Sequence, residues 1–76
     1  MAGNWRKFDD YHETHQYVAE DGQIIGSVHG SFYRERGWTA FDETTHSATW
    51  IGRYVEMEAA RQAVEVHLRR KATDAG

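Results

Sequence analysis

The spacing of apolar residues predicts one amphipathic helix near the end of this chain of 76 residues. Between residues 56 and 71, apolar side chains recur at every third or fourth position, which is the period of a helix with one buried face. The predicted buried stripe is Met57, Ala60, Val64 and Leu68, widened by Ala63 and His67. The charged residues lie outside the stripe, so this helix is expected to cover a sheet.

Before residue 56 the pattern is that of strands, in which apolar and polar residues alternate. The predicted strands are residues 14–20, 23–31, 38–42 and 47–53. Asp21-Gly22 separates the first two, and this pair favours a two-residue type I′ hairpin because both positions need positive φ. Gly26 and Gly30 share one side of the second strand and leave room for a ring or the helix to approach.

Together these elements predict an α+β fold in which an antiparallel sheet of three to four strands packs on one C-terminal α-helix. Residues 1–13 are predicted to be an N-terminal arm, residues 14–71 the sheet-plus-helix domain, and residues 72–76 a frayed tail. A chain of this length forms one domain with a small core. Its three Trp, four Tyr and three Phe carry most of the large apolar volume, since the sequence has a single leucine.

Net charge and hydropathy indicate which partners and which cellular location to expect for this chain. The net charge is −3 and the pI is 5.9, whereas domains dedicated to nucleic acid usually have a pI above about 9. The N-terminus has no apolar stretch of the kind found in signal peptides, and no run approaches the roughly 20 apolar residues of a membrane span. We therefore expect a cytoplasmic protein that binds no membrane and favours a protein partner over nucleic acid.

One part of the chain resembles a known DNA-binding family. The residues that carry the resemblance are Gly30, residues 34–40 (Arg-Glu-Arg-Gly-Trp-Thr-Ala), residues 50–54 (Trp-Ile-Gly-Arg-Tyr) and residues 58–60 (Glu-Ala-Ala). Over about residues 28–68 this order resembles the plant ethylene-response (APETALA-type) DNA-binding domain and similar small three-strand-plus-helix domains of phage and mobile-element proteins. The resemblance implies a sheet face set into the major groove, with Arg34 and Arg36 facing the groove and Trp50 exposed.

The chain departs from that family in ways that change its charge. Ser31, Phe32 and Tyr33 occupy positions where the family is typically basic, and Glu56 replaces its threonine cap. These changes remove positive charge and add rings. The resemblance therefore supports the fold better than the DNA-binding activity.

Strand alternation predicts a patch of rings and arginines on the sheet face away from the helix. Trp50 points opposite to the inward Ile51, and Phe41 points opposite to the inward Ala40. Patches of this composition are typical of protein interfaces, although arginines that screen an aromatic cluster are a structural alternative. The predicted partner-binding residues are Tyr33, Arg34, Arg36, Phe41, Trp50 and Arg53.

This patch supports two hypotheses of function. The first is a small non-enzymatic binding module, of the phage-type accessory or inhibitor kind, that binds a host protein through the patch. The alternative is a DNA-binding domain that contacts duplex DNA with the same face. Unpaired strand edges and an aromatic face also predict a homodimer, because self-association hides both features.

The sequence predicts no catalytic residues, no metal site and no cofactor. His12 and His15 are three residues apart and fall on opposite sides of a strand, whereas zinc proteases use two histidines four apart on a helix. His67 is interpreted as a side chain on the flank of the helix. Arg69-Arg70-Lys71 is interpreted as complementing the helix dipole rather than as a phosphate site.

Overall fold

The computed structural model describes residues 3–9, 13–30 and 37–75. The strands are β1 (Gly3–Asp9), β2 (Thr14–Ala19), β3 (Ile24–Gly30), β4 (Trp38–Asp42) and β5 (Thr49–Tyr54), and the helix is α1 (Met57–Ala75). The strands form one antiparallel sheet in the order β1-β2-β3-β4-β5. The predicted α+β class is confirmed, and the sheet has one strand more than the upper number expected.

The additional strand is β1, at the edge of the sheet. It lies within residues 1–13, which the sequence pattern suggested were an arm. Trp5 is the large apolar residue that this strand turns inward, where its ring packs on Tyr17 at 4.9 Å between centroids. An edge strand with one inward ring shows no run of alternating apolar and polar residues, so periodicity does not detect it.

The core lies between the helix and the strands from β3 to β5. Ala60 and Val64 are fully buried and Leu68 is 9% exposed, which confirms the predicted stripe. A side chain at Gly26 would collide with Val64 Cγ1, so the glycine allows the helix to lie close to the sheet. The closely packed residues are Tyr17, Val28, Ala40, Ala60, Val64 and Leu68.

The turn between β2 and β3 differs from the predicted type I′ turn. Gly22 N donates to Ala19 O at 2.9 Å, and Ala19 N donates to Gln23 O at 2.9 Å. Gly22 has a φ of 90°, and Glu13, outside this turn, is the other described residue with a positive φ. This is a three-residue loop in which a type I turn is followed by a left-handed glycine. The Asp21 backbone does not adopt the positive φ that a type I′ turn requires. Its side-chain Oδ1 accepts a hydrogen bond from Gln23 N at 3.0 Å.

The helix is longer than the apolar stripe suggests. α1 has 19 residues and ends at Ala75, so most of the predicted tail is helical. Thr73 Oγ1 donates to Arg69 O at 3.0 Å within the last turns. In the ranges that the structure describes, no helix is both long enough and apolar enough to cross a membrane.

Candidate functional site

The open face of the sheet is the side opposite α1, and none of the described elements covers it. Paired residues of neighbouring antiparallel strands point to the same side, so the register defines rows of side chains on this face. The first row is Arg6, Gln16, Ser27, Phe41 and Trp50, and the second is Thr14, His29, Thr39 and Arg53. Each row brings together residues from at least four strands.

Exposed aromatic rings stand on both edge strands of the sheet, and Phe41 adds a ring on β4. Trp50 on β5 and Phe8 on β1 are each 63% exposed. Phe41 lies opposite Trp50 and is half-buried. Its ring contacts the His29 imidazole edge-on, with centroids 5.3 Å apart and planes at 85°. The face therefore presents rings to solvent, which is uncommon where no partner covers them.

Three of the six predicted partner-binding residues lie in the described part of the chain, and alternation places all three on the open face. Phe41 and Trp50 are neighbours across β4 and β5, and Arg53 lies in the adjacent row. The Arg53 guanidinium lies against Gly37, where its Nε would be 3.0 Å from a Cβ. Tyr33, Arg34 and Arg36 lie outside the described residues.

A chain of hydrogen bonds connects three strands across the open face, and the sequence pattern did not indicate it. Ser27 Oγ donates to Glu43 Oε2 at 2.7 Å. His29 Nε2 lies 3.1 Å from Ser27 Oγ, and His29 Nδ1 lies 3.3 Å from Thr14 Oγ1. Because a carboxylate only accepts, the Ser27 proton is used on Glu43 and His29 Nε2–H donates to Ser27. This assigns the tautomer of His29 and leaves Nδ1 to accept from Thr14.

The protonation of His29 agrees with this direction. Burial lowers the pKa of the imidazole, and the Glu43 carboxylate opposes that shift. A nucleophilic serine gives its proton to a general base, most often a histidine, and must be accessible to its substrate. Ser27 donates to Glu43 rather than to His29 and is only 1% exposed, so it is inaccessible to a substrate and holds the carboxylate in position.

A shallow groove of about 440 Å³ lies beside this carboxylate. Its lining residues are His29, Thr39, Phe41, Glu43 and Ala48. With His29 neutral, Glu43 gives the groove a net negative charge. An aromatic wall and a carboxylate therefore meet in one concave part of the open face.

Asp42, one residue before Glu43, points to the opposite face and is 1% exposed. Its Oδ2 accepts from His67 Nε2 at 3.0 Å and from Lys71 Nζ at 3.1 Å, and its Oδ1 accepts from Thr44 N at 2.8 Å. Burial acts to raise the Asp42 pKa, but the hydrogen bonds from Thr44, Lys71 and His67 outweigh it and lower the pKa to about 2. This cluster fastens the helix to the end of β4 and is structural.

On the helix side of the sheet, α1 packs on β3, β4 and β5, and the Arg61 side chain extends over the uncovered strands β1 and β2. Its guanidinium lies 5.2 Å from the centre of the Trp5 ring, and Nη2 donates to His15 Nδ1 at 2.9 Å. Burial, followed by the charges of Arg61 and Lys7, lowers the pKa of His15, which suits its role as acceptor. The second histidine of the 12–15 segment, His12, lies outside the described residues.

A second concavity, of about 270 Å³, lies on the helix side of the sheet near the end of α1. Tyr17, Ile25 and Leu68 form its apolar floor, and Arg69 lies at its margin. Its polar lining side chains are Arg69 and Thr73, both on α1, and Tyr17 is its one aromatic ring among the described lining residues, so it is a weaker candidate site than the open face.

Comparisons with known proteins identify no family for this chain. No protein-family model, curated protein or solved structure matches this chain. The APETALA-type resemblance remains an expectation from the sequence. The fold and the open face define a small sheet-plus-helix domain with an aromatic surface, and its function must be argued from that surface.

Proposed function

We propose that this chain is a small, non-enzymatic binding module that docks on another protein through its open sheet face. The observation that carries the proposal is the Trp50 indole, 63% exposed beside Phe41 on a face that no described element covers. An indole left in water contributes little to the stability of the isolated chain. Tryptophan is, however, among the side chains that most often anchor protein interfaces.

The proposed contact set extends from one edge of the sheet to the other. Phe8 and Trp50 provide rings at the two edges, and Phe41 provides the ring between them. The proposed contact residues on the described part are Phe8, Phe41, Trp50 and Arg53, with Tyr33, Arg34 and Arg36 expected beside them. An accessory or inhibitor role, as the phage-type resemblance implies, requires no catalytic group on this surface.

Duplex DNA is the alternative partner for the same face. The described part of the face has two arginines, Arg6 and Arg53, and it has the Glu43 carboxylate in its groove. DNA binding depends on neutralising phosphates with cations, and a chain of net charge −3 is poorly suited to it. Charge therefore favours a protein partner.

The test is to capture partners from a host-type lysate and to compare variants of the two faces. Trp50→Ala and Arg53→Ala change the open face, whereas Glu58→Ala and Gln62→Ala change exposed positions on α1 and serve as matched controls. We expect Trp50→Ala to weaken binding at least about 30-fold, the effect of losing an anchor worth about 2 kcal/mol. Each variant is first checked for folding by its unfolding curve.

Two results would contradict this proposal. Loss of binding in the helix variants with retention in the open-face variants would move the contact surface to α1. Nanomolar binding of a duplex with a steep inverse dependence on salt, lost in Arg34→Ala or Arg36→Ala, would replace the protein partner with DNA.

Self-association is a separate expectation. β1 and β5 are the two edges of the described sheet, and edge strands pair readily with a second copy. We expect light scattering to give the mass of a homodimer, with the open face still exposed if the edges pair. A mass of 8.8 kDa at high concentration would show a monomer.

A further inference from the structure

We propose that the groove beside Glu43 receives a basic side chain, an arginine or a lysine, of the protein partner. The inference rests on the proposed function and adds the chemistry of the partner residue. It is carried by three features of the groove: an oriented carboxylate, an aromatic wall, and a described lining in which no lysine or arginine occurs.

The carboxylate of Glu43 is held in place before any partner arrives. Ser27 Oγ donates to Oε2 at 2.7 Å, and Ser27 is itself positioned by His29. A carboxylate offers about four acceptor sites, of which Ser27 uses one. Fixing a binding group in advance reduces the entropy lost on association. Glu43 is therefore ready to accept further donors from a partner.

Phe41 gives the same groove an aromatic wall. Cations are attracted to the faces of aromatic rings, and arginine also stacks on rings through its planar guanidinium. Trp50 lies next to Phe41 across the strands and continues the aromatic surface. A guanidinium beside Phe41 is thus also able to donate two parallel hydrogen bonds to a carboxylate.

The described arginines of the open face, Arg6 and Arg53, are not among the residues that line the groove. None of the described residues that line the groove is a lysine or an arginine. Arg6 Nη2 donates to Gln16 Oε1 at 3.4 Å, and the Arg53 guanidinium lies against Gly37 at the other end of β4. Among the described lining residues, therefore, no cation neutralises the negative charge of Glu43.

Other occupants suit the groove less well. An apolar side chain would remove water from the carboxylate without replacing its hydrogen bonds, which is unfavourable. An acidic side chain would be repelled by Glu43. A basic side chain satisfies the carboxylate and the aromatic wall together.

The test uses random 12-residue peptides displayed on phage and selected on the immobilised wild-type chain. We expect peptides that require Trp50 and share an arginine or lysine at one position. The affinity of a selected synthetic peptide is then measured for wild type, Glu43→Gln and the helix control Gln62→Ala. Glu43→Gln keeps the size of the side chain and one oxygen that can accept from Ser27, and it replaces the charged carboxylate with a neutral amide.

The expected result is a coupled loss. Replacing the basic residue of the peptide with citrulline or norleucine should weaken binding about tenfold, and Glu43→Gln should weaken the parent peptide by a similar factor. The two changes together should cost little more than either alone, because each removes the same interaction. Gln62→Ala should bind like the wild type. Glu43→Lys should prefer a peptide in which glutamate replaces the basic residue.

The outcomes separate this inference from the function on which it rests. Peptides that depend on Trp50 but bind Glu43→Gln as tightly as wild type would overturn the groove assignment and leave the binding face in place. Peptides indifferent to both Trp50→Ala and Glu43→Gln would contradict the proposed function itself. A selection that gives no binder would count against both.

Discussion

Two consecutive carboxylates at the end of β4 have opposite environments. Asp42 points towards α1, is 1% exposed, and accepts hydrogen bonds from His67 and from the Lys71 ammonium, which balances its charge. Glu43 points to the open face, is half-buried, and is held by the neutral hydroxyl of Ser27. Because successive residues of a strand point to opposite faces, the Asp42 carboxylate is paired inside the fold and the Glu43 carboxylate faces the open side of the sheet.

The apolar residues of the two faces differ in the same way. Below the helix the sheet presents small residues, such as Gly26 and Ala40, because α1 must lie close to it. The open face presents Phe41, which is half-buried, and Trp50, which is 63% exposed. The covered face is complementary to the helix, and the open face has no complement among the described residues. The following experiments test this difference.

The largest effect is expected from truncating the covered face. Leu68 is 9% exposed in the core between α1 and β3, so Leu68→Ala should lower the free energy of unfolding by about 2–5 kcal/mol. Trp50→Ala on the open face should lower it by less than about 1 kcal/mol, because most of the indole is already in water. Urea unfolding measures both. A Leu68→Ala variant as stable as the parent would contradict the helix register.

A smaller effect is expected from neutralising the two carboxylates. Lowering the Asp42 pKa from 3.8 to about 2 corresponds to about 2 kcal/mol of stability at neutral pH. Asp42→Asn should therefore lower the free energy of unfolding by about 2 kcal/mol. The matched variant Glu43→Gln should change it by less than about 0.5 kcal/mol, as surface substitutions usually do. Equal losses in the two variants would remove the distinction between the faces.

Periodicity in the sequence predicted the elements with the strongest patterns. The stripe of α1 and the bounds of β4 followed from spacing alone. β1 was missed because Trp5 is its single large inward residue, and the turn at Gly22 was misassigned because Asp-Gly fits both hairpin types. The length of α1 was underestimated because its last turns lie beyond the apolar stripe.

The candidate site was predicted in part, for a physical reason. Alternation within a strand is a local property, so the outward directions of Phe41 and Trp50 followed from the sequence. The bonds among Ser27, His29 and Glu43 depend on the register between strands, which no local pattern specifies. Arg61 was placed outside the stripe by its helical position, yet its long side chain reaches back over Trp5.

Lowering the pH should reveal how much the Asp42 carboxylate contributes to the free energy of unfolding. The Asp42 pKa in the folded chain is about 2, below its ordinary value of 3.8. The unfolded chain therefore binds the proton first, and the stabilisation is present above about pH 4 and is lost as the pH falls towards 2. About 1 kcal/mol should be lost by pH 3. Asp42→Asn should remove this part of the pH dependence, measured by urea unfolding from pH 5 to pH 2.5, and an unchanged slope in that variant would contradict the assignment.

The smallest effect concerns His29 and is measured by NMR titration of the imidazole. Burial lowers the His29 pKa below 6.5, and the Glu43 carboxylate acts in the opposite direction. Glu43→Gln should therefore lower the His29 pKa further. His15 is the internal control: its pKa is lowered by burial and by the charge of Arg61, and it should not respond to the change at Glu43.

The sign of the linked stability change follows from the same shift. Below pH 6.5 the unfolded chain takes up a proton at His29 that the folded chain binds only at lower pH, so stability rises with pH across that window. Glu43→Gln widens the window, because it removes the charge that favours the imidazolium. A His29 pKa that Glu43→Gln leaves unchanged would show that Glu43 does not act on the imidazole through the hydrogen bonds of the open face. In that case the carboxylate would not be oriented through Ser27, and the contrast between Asp42 and Glu43 would reduce to a difference in burial.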